Sequence, residues 1–301
     1  MADMAAFVQA LRGQQIPFLE REPLSRHTSF RIGGPVAVFC LPETPAQLLR
    51  ALELCREHDI RHYLLGNGSN TLFADEGFDG AVLCTVALKA PVTVSGTTVC
   101  AAAGASLAAV CRQAQQAGLT GLEFAFGIPG TVGGAVYMNA GAYGGELKQV
   151  LSRVTFLDKN LNLETLPVEE LALGYRTSRF ETHGGCILEA VFTLQPGDPQ
   201  EIEARMQELM ARRKEKQPLE LPSAGSTFKR PEGAFAGQLI EQCGLRGFAV
   251  GGAAVSTKHC GFVVNTGGAT CADVIRLTDE IQRIVEEKTG YRLSREIRVV
   301  R

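Results

Sequence analysis

Four short segments carry residue types that could do chemistry. The densest is Gly127-Ile-Pro-Gly-Thr-Val-Gly-Gly-Ala-Val-Tyr-Met-Asn-Ala-Gly141, in which four glycines fall within the eight residues 127–134. Glycine leaves backbone N–H groups unshielded, and a cluster of them can surround phosphate oxygens. A tightly turned core segment needing positive φ at several positions has the same composition, so the motif alone supports either reading equally. Gly66-Asn-Gly-Ser-Asn70 follows an apolar strand-like stretch, where its amides and the side chains of Ser69 and Asn70 could meet an anion. Residue 71 is threonine, so this is not GxGxxG, and neither loop is a Walker A sequence. Both facts argue against a standard Rossmann cofactor site and against an NTPase. Tyr175-Arg176-Thr-Ser-Arg-Phe180 offers a rigid positive fork for a carboxylate or a developing oxyanion, although a solvated arginine is the commoner fate of such a residue. In Ser223-Ala-Gly-Ser-Thr-Phe-Lys-Arg-Pro231, Gly225 could let a turn present the Ser226 hydroxyl, or the serine could simply satisfy that turn. No GxSxG elbow is present, since Gly104-Ala-Ser-Leu-Ala108 lacks the last glycine. Lys258-His259 and Asn265-Thr-Gly-Gly268 are polar groups for the same cleft or else caps and turns.

The elements that must position these segments are readable in part. Thr44-Pro45 is a helix start with proline at the first position, and Leu48, Leu49, Leu52 and Cys55 form that helix's apolar face. Strands are expected at 36–40, 62–65 and 81–86, giving a βαβ-like beginning. Two further strands, 92–95 and 98–102, flank a glycine turn, and a helix from Ser106 stops at Gly118. Residues 150–158 and 161–166 predict a hairpin around Lys159-Asn160, followed by a strand over 186–194. Helices are expected over 201–216 and 270–288. The alternation at Leu293, Arg295, Ile297 and Val299 predicts a closing strand that points Glu296 away from Leu293 and Ile297. This suggests a domain over 1–200, divided near residue 80 into two α+β parts, a second domain over 201–291, and a final strand over 292–301.

Composition narrows the classes. With 301 residues, 45% of them hydrophobic, the chain can bury a substantial core, and 30 basic against 32 acidic residues give no excess positive charge for nucleic acid. No apolar run approaches the roughly 20 residues of a membrane span. The first residues read as an amphipathic helix rather than a secretory signal, so a cytoplasmic location is expected. Nine cysteines form an odd set with no CxxC spacing, which favours reduced, buried thiols over a metal or disulfide framework. His58 and His62 are four apart but lack an HExxH context, so no metal site is expected.

Taken together and in order, HTSFRIGG, GNGSN, GIPGTVGGAVYMNAGAYG, YRTSRF, AGSTFKRP and the closing REIRV resemble the UDP-N-acetylenolpyruvoylglucosamine reductases over nearly the whole chain. The resemblance implies an α+β fold: a two-subdomain FAD-binding domain of the vanillyl-alcohol-oxidase or PCMH type, then a C-terminal α+β substrate-binding domain. It implies noncovalent FAD, with NADPH as reducing co-substrate and UDP-N-acetylglucosamine enolpyruvate as the substrate reduced to UDP-N-acetylmuramate for peptidoglycan. It implies no nucleic-acid or membrane partner, and nothing in the sequence demands an obligate protein partner.

Carried over residue by residue, the resemblance assigns Arg176 to charge stabilisation, Ser226 to proton donation and Glu296 to a third catalytic role. It assigns Gly66, Asn67, Gly68, Ser69, Asn70, Gly127, Ile128, Pro129, Gly130, Thr131, Gly133, Gly134 and Asn139 to the cofactor. Tyr175, Arg212, Lys216 and Lys229 are assigned to the substrate. Arg230 stands where longer members carry asparagine, and the chain has no room for their extra tyrosine-bearing loop, so it resembles the shorter subtype. Two other readings remain open: another oxidoreductase of the same flavin fold, and a nucleotide-sugar-binding protein that has lost turnover. The absence of a His or Cys attachment motif weighs against a covalent oxidase.

Overall fold

A computed structural model describes residues 3–88 and 90–301. Helices and mostly antiparallel sheets alternate along it, an α+β arrangement. The strands Phe18–Pro23, Pro35–Cys40, Phe78–Cys84 and His62–Leu65 lie in that order in one sheet, with His62–Leu65 parallel to Ala81–Cys84.

By contacts the chain divides into two compact units, each assembled from separated stretches: residues 1–20, 38–67 and 80–212 in the first, and 21–37, 68–79 and 213–301 in the second. In the first unit a five-stranded antiparallel sheet runs in the order Leu163–Pro167, Leu151–Leu157, Cys186–Thr193, Thr98–Ala102, Thr93–Ser95. The hairpin expected around Lys159-Asn160 is its edge, closed by Asp158, whose carboxylate accepts the N–H groups of Asn160 and Asn162. Helix Leu107–Gln116 covers this sheet because Leu107, Val110, Cys111 and Ala114 fall on one face at helical spacing and are all buried. Ser106 caps its first turn by accepting from the Ala109 N–H, and Gly118 at φ 67° ends it.

A separate cluster in the same unit gathers Phe7, Leu11, Val38, Leu48, Leu52, Leu83 and Leu88. Helix Pro45–Glu57 contributes to it, with Thr44 as its cap and Pro45 at the first position. His58 caps that helix while His62 begins a strand, so their spacing does not place two imidazoles on one helical face.

The second unit is a four-stranded antiparallel sheet, Ser223–Ser226, Phe262–Asn265, Ala253–Val255 and Ala249–Val250, packed with helix Cys271–Thr289. That helix starts at a capping box between Thr270 and Asp273, buries Val274, Leu277, Ile281 and Val285, and ends at Gly290 with φ 77°. Asp75 adds a second cap: its carboxylate accepts from the N–H groups of Cys271 (2.6 Å) and Ala272 (3.0 Å).

The closing strand is shorter than the alternation predicts. Only Arg298–Val300 pairs, in parallel with Thr71–Phe73, while Arg295 makes an isolated bridge to Phe228. The chain changes partners between Glu296, which bonds to Thr227, and Arg298, which bonds to Asn70, so one continuous ladder does not form. Glu296 therefore precedes the strand rather than lying in it.

All nine cysteines are free thiols, and only Cys100 is not buried. Burial pushes the Cys111 and Cys186 thiols up to about 12, which keeps them protonated and unreactive. Among the described residues no helix is long and apolar enough to cross a membrane.

Candidate functional site

Within the first unit the two glycine loops meet. The Asn67 side-chain amide donates to the Pro129 carbonyl at 2.9 Å, and Gly66 lies so close to Thr131 that a Cβ there would stand 2.4 Å from the threonine Oγ1. The second loop is anchored to the start of helix Leu107–Gln116: Leu107 donates to the Gly130 carbonyl, and Val132 and Gly133 donate to Ala105 and Ala103. Thr131 caps the short helix Val132–Tyr137, its Oγ1 accepting from the Gly134 N–H at 3.4 Å.

This corrects one expectation. The N–H groups of Gly130, Val132 and Gly133 are not free for phosphate, because Ile128, Ala105 and Ala103 carbonyls already accept them. The reason is steric: Gly133 packs so closely on Ala103 that a Cβ would come within 2.9 Å, and this approach brings its N–H into bonding range. On the shorter loop no backbone acceptor takes the N–H groups of Asn67, Gly68 or Ser69 among the described residues, and on the longer loop the same holds for Gly127 and Thr131. Gly68, at φ 58°, supplies the left-handed turn such a row of amides needs, and its Cα faces the His27 carbonyl too closely for any side chain.

Gly130 and Gly134 have a different character. Neither has positive φ, and a Cβ on either would meet no atom nearer than 3.5 Å. The protein's own packing and backbone therefore require glycine at neither position, and both leave an open flank. Within the first unit the open flank at Gly130 and Gly134 has room for a flat ring, and the Asn67 N–H beside it in the chain's shorter loop is left unspent.

Arg176 sits at the tip of a tight turn closed by two bonds between Gly174 and Thr177, and its own φ is 54°. Its guanidinium lies 5.1 Å over the Tyr175 ring and donates to the Gly141 carbonyl at 3.0 Å. Tyr175 is exposed beside it. Asn139 is fully buried, and both its amide hydrogens are committed inside the protein, one to Glu146 and one to Gly174. It therefore has no donor left for a cofactor. Arg212 pairs with Glu208 on the exposed surface of helix Pro199–Lys216.

In the second unit Ser226 and Glu296 lie on adjoining segments. Glu296 donates its N–H to the carbonyl of Thr227 at 2.8 Å, and Lys229 donates to Ser294 at 2.8 Å. Ser226 is exposed at the end of its strand, following Gly225 at φ 75°. Buried Thr227 anchors the strand, its Oγ1 accepting from the Val263 N–H at 2.8 Å. Asn70 grips the other flank, its side-chain amide donating to the Glu296 carbonyl at 3.2 Å and its own carbonyl accepting from Arg298 at 2.9 Å. Arg295 fixes the preceding residue by donating to the buried Thr278 hydroxyl at 2.7 Å and by an ion pair with Asp279.

The expected residues thus fall into two groups. Gly66, Asn67, 127–134, Asn139, Tyr175, Arg176 and Arg212 belong to the first unit, and Gly68, Ser69, Asn70, Lys216, Ser226, Lys229 and Glu296 to the second. Sequence reasoning missed the supports: Glu146 and Ser178 around the Arg176 turn, and Thr227 and Arg295 beside Glu296. Ser178 and Thr227 sit inside motifs already singled out. Arg295 opens the REIRV motif, also singled out, and Glu146 alone carries no local signal.

Comparison with known proteins identifies the family. A family model described as a FAD binding domain matches residues 36–163, and one described as the C-terminal domain of UDP-N-acetylenolpyruvoylglucosamine reductase matches residues 217–300. The UDP-N-acetylenolpyruvoylglucosamine reductase of Caldanaerobacter subterraneus subsp. tengcongensis is 48% identical over 93% of this chain and 92% of its own. That of Clostridium perfringens strain 13 is 46% identical over 92% and 91%. Among solved structures, the crystal structure of UDP-N-acetylenolpyruvylglucosamine reductase from Thermus caldophilus aligns with a TM-score of 0.78 at 35% identity, covering 95% of this chain and 99% of that one. The chain belongs to the UDP-N-acetylenolpyruvoylglucosamine reductase family.

Proposed function

We propose that the protein is an oxidoreductase that uses FAD and NADPH to reduce the enolpyruvyl group of UDP-N-acetylglucosamine enolpyruvate, giving UDP-N-acetylmuramate for peptidoglycan synthesis. The observation that carries this reading is the joined pair of glycine loops, open at Gly130 and Gly134, in a chain 48% identical to a reductase of that name. FAD, when bound, supplies a carrier that takes hydride from NADPH and delivers it to the alkene. Gly66, Asn67 and 127–134 are the residues to hold it, with the amides of Gly68 and Ser69 as donors to phosphate oxygens.

The rest of the chemistry falls to side chains. Hydride addition to one alkene carbon leaves enolate-like charge at the other, spread onto the adjoining carboxylate. Arg176 stabilises that charge: its guanidinium is permanently positive and is held by Gly141 before substrate arrives. Ser226 delivers the proton that completes the reduction. A serine hydroxyl is a weak acid, so placement must compensate, and the anchored neighbour Thr227 supports such placement. Glu296, one backbone bond from the Ser226 strand, orients the serine or the substrate carboxyl. Tyr175, Lys229, Arg212 and Lys216 are proposed to bind the remainder of the nucleotide sugar. Reduced thiols throughout and the use of NADPH support a cytoplasmic location.

The test is direct. Purified protein supplied with FAD should consume NADPH only when UDP-N-acetylglucosamine enolpyruvate is added, with one UDP-N-acetylmuramate formed per NADPH. Consumption at the same rate without the enolpyruvyl compound would refute the reading.

A further inference from the structure

The turn that carries Arg176 is held from a single buried point. Asn139 is 0% exposed, and at φ 41° it occupies a left-handed conformation that asparagine tolerates well. Its amide donates to the Gly174 carbonyl at 2.9 Å and to the Glu146 carboxylate at 3.0 Å, while its Oδ1 accepts from the Lys148 N–H at 3.0 Å. Gly174 opens the turn. Glu146 pairs with Gly141 in a short hairpin, and Gly141 is the residue whose carbonyl receives the Arg176 guanidinium. The backbone and the charged tip of Arg176 are therefore both referred to the same buried amide. Arg176 needs such support, because φ of 54° costs a non-glycine residue about 1 kcal/mol, and an unsupported turn would relax away from it. On the far side of the turn the Ser178 hydroxyl donates to the Tyr137 carbonyl at 2.7 Å.

We propose that Asn139 is a positioning residue that fixes Arg176 for the substrate, acting through the Gly174 carbonyl and the Gly141–Glu146 hairpin. The proposal rests on the reading of Arg176 given above. A fixed charge stabilises a developing anion only where it is already aimed, and a displacement of about 1 Å can cost roughly 100-fold.

Asn139→Gly keeps the left-handed backbone accessible and removes all three side-chain bonds. It should leave FAD content and the half-reaction with NADPH within about twofold of the parent. The half-reaction with the enolpyruvyl substrate, followed by return of the yellow absorbance, should slow by about 10- to 100-fold. In an Arg176→Ala background the same substitution should add less than about twofold, since the residue it acts through is gone. Hydrogen exchange at the Gly174 and Thr177 amides, which close the turn, should accelerate while the Ala135 and Met138 amides of the preceding helix keep their protection. Equal losses in both half-reactions, a full additional loss in the Arg176→Ala background, or unchanged exchange at Gly174 and Thr177 would each overturn the proposal. Should Asn139→Gly fail to fold, Ser178→Ala releases the opposite side of the turn and is read in the same ways. Parent protein that the enolpyruvyl compound does not reoxidise defeats the functional reading instead, and the exchange measurement then decides the positioning role alone.

Discussion

Substituting Gly66 with alanine should drive the two glycine loops apart. Gly66 does not use positive φ, so alanine meets no backbone penalty there, and the whole effect comes from its Cβ, 2.4 Å from Thr131 Oγ1. An ordinary carbon–oxygen contact needs about 1 Å more. Thr131 cannot easily yield it, because it is 3% exposed, β-branched, and caps helix Val132–Tyr137 through that same oxygen. Overpacking of this kind costs roughly 1–3 kcal/mol. If FAD binds the joined loops, Gly66→Ala should weaken its binding by about 5- to 150-fold, measured by quenching of flavin fluorescence on titration. Removing the obstructing atom supplies the control. Thr131→Ala alone loses only a long 3.4 Å cap bond and should change binding by less than about fivefold, and the double variant should recover most of the Gly66→Ala loss. Unaltered affinity in Gly66→Ala, or the same loss with alanine at position 131, would refute the reasoning.

Gly134→Ala should separate stability from binding: alanine in a helix is favoured by up to about 1 kcal/mol, so the FAD-free protein should melt higher while FAD affinity falls, and unchanged affinity would show that nothing approaches Gly134. Asp75→Ala removes both bonds from Asp75 to the start of helix Cys271–Thr289 and should cost about 1–2 kcal/mol in urea unfolding. The Asp273 carboxyl is held down to about 2 by the Thr270 N–H, the Arg276 guanidinium and the Gly252 N–H, against an ordinary 3.8. Because the folded value is the lower one, the stabilisation is complete above about pH 4 and is lost as pH falls toward 2. Asp273→Asn should therefore be less stable than the parent at neutral pH, by about 1 kcal/mol, with the difference shrinking across that acid range.

Much of the local structure is written in short patterns. Thr44-Pro45, Ser106 with Gly118, and Thr270 with Asp273 mark helix ends because caps satisfy N–H groups within one turn, and the apolar spacing between them gives the buried face. The turns that carry Arg176 and Ser226, the residues proposed for the chemistry, were legible for the same reason, from their glycine content and residue types. What was not legible depends on chain segments far apart in sequence. Residues 21–37 and 68–79 join the unit built by 213–301 through pairings such as Thr71 with Arg298, the Asp75 cap on Cys271, and Asn70 on Glu296. No periodicity announces such bonds. The same holds for the amides of 130–133, whose acceptors at Ala103 and Ala105 can be known only once the loop is docked. The alternation at 293–299 misled because Leu293 and Ile297 are buried while the backbone switches partners at Ile297, between Glu296 and Arg298.

The division of labour between residues is tested most directly by single-turnover kinetics of Ser226→Ala under anaerobic conditions. Bleaching of the bound flavin by NADPH should proceed within about twofold of the parent rate, because no proton from Ser226 enters that step. Return of the yellow absorbance on mixing with UDP-N-acetylglucosamine enolpyruvate should be slower by at least about 100-fold, with UDP-N-acetylmuramate formed at the same reduced rate. Return at the parent rate would remove Ser226 from the chemistry and contradict the proposed mechanism.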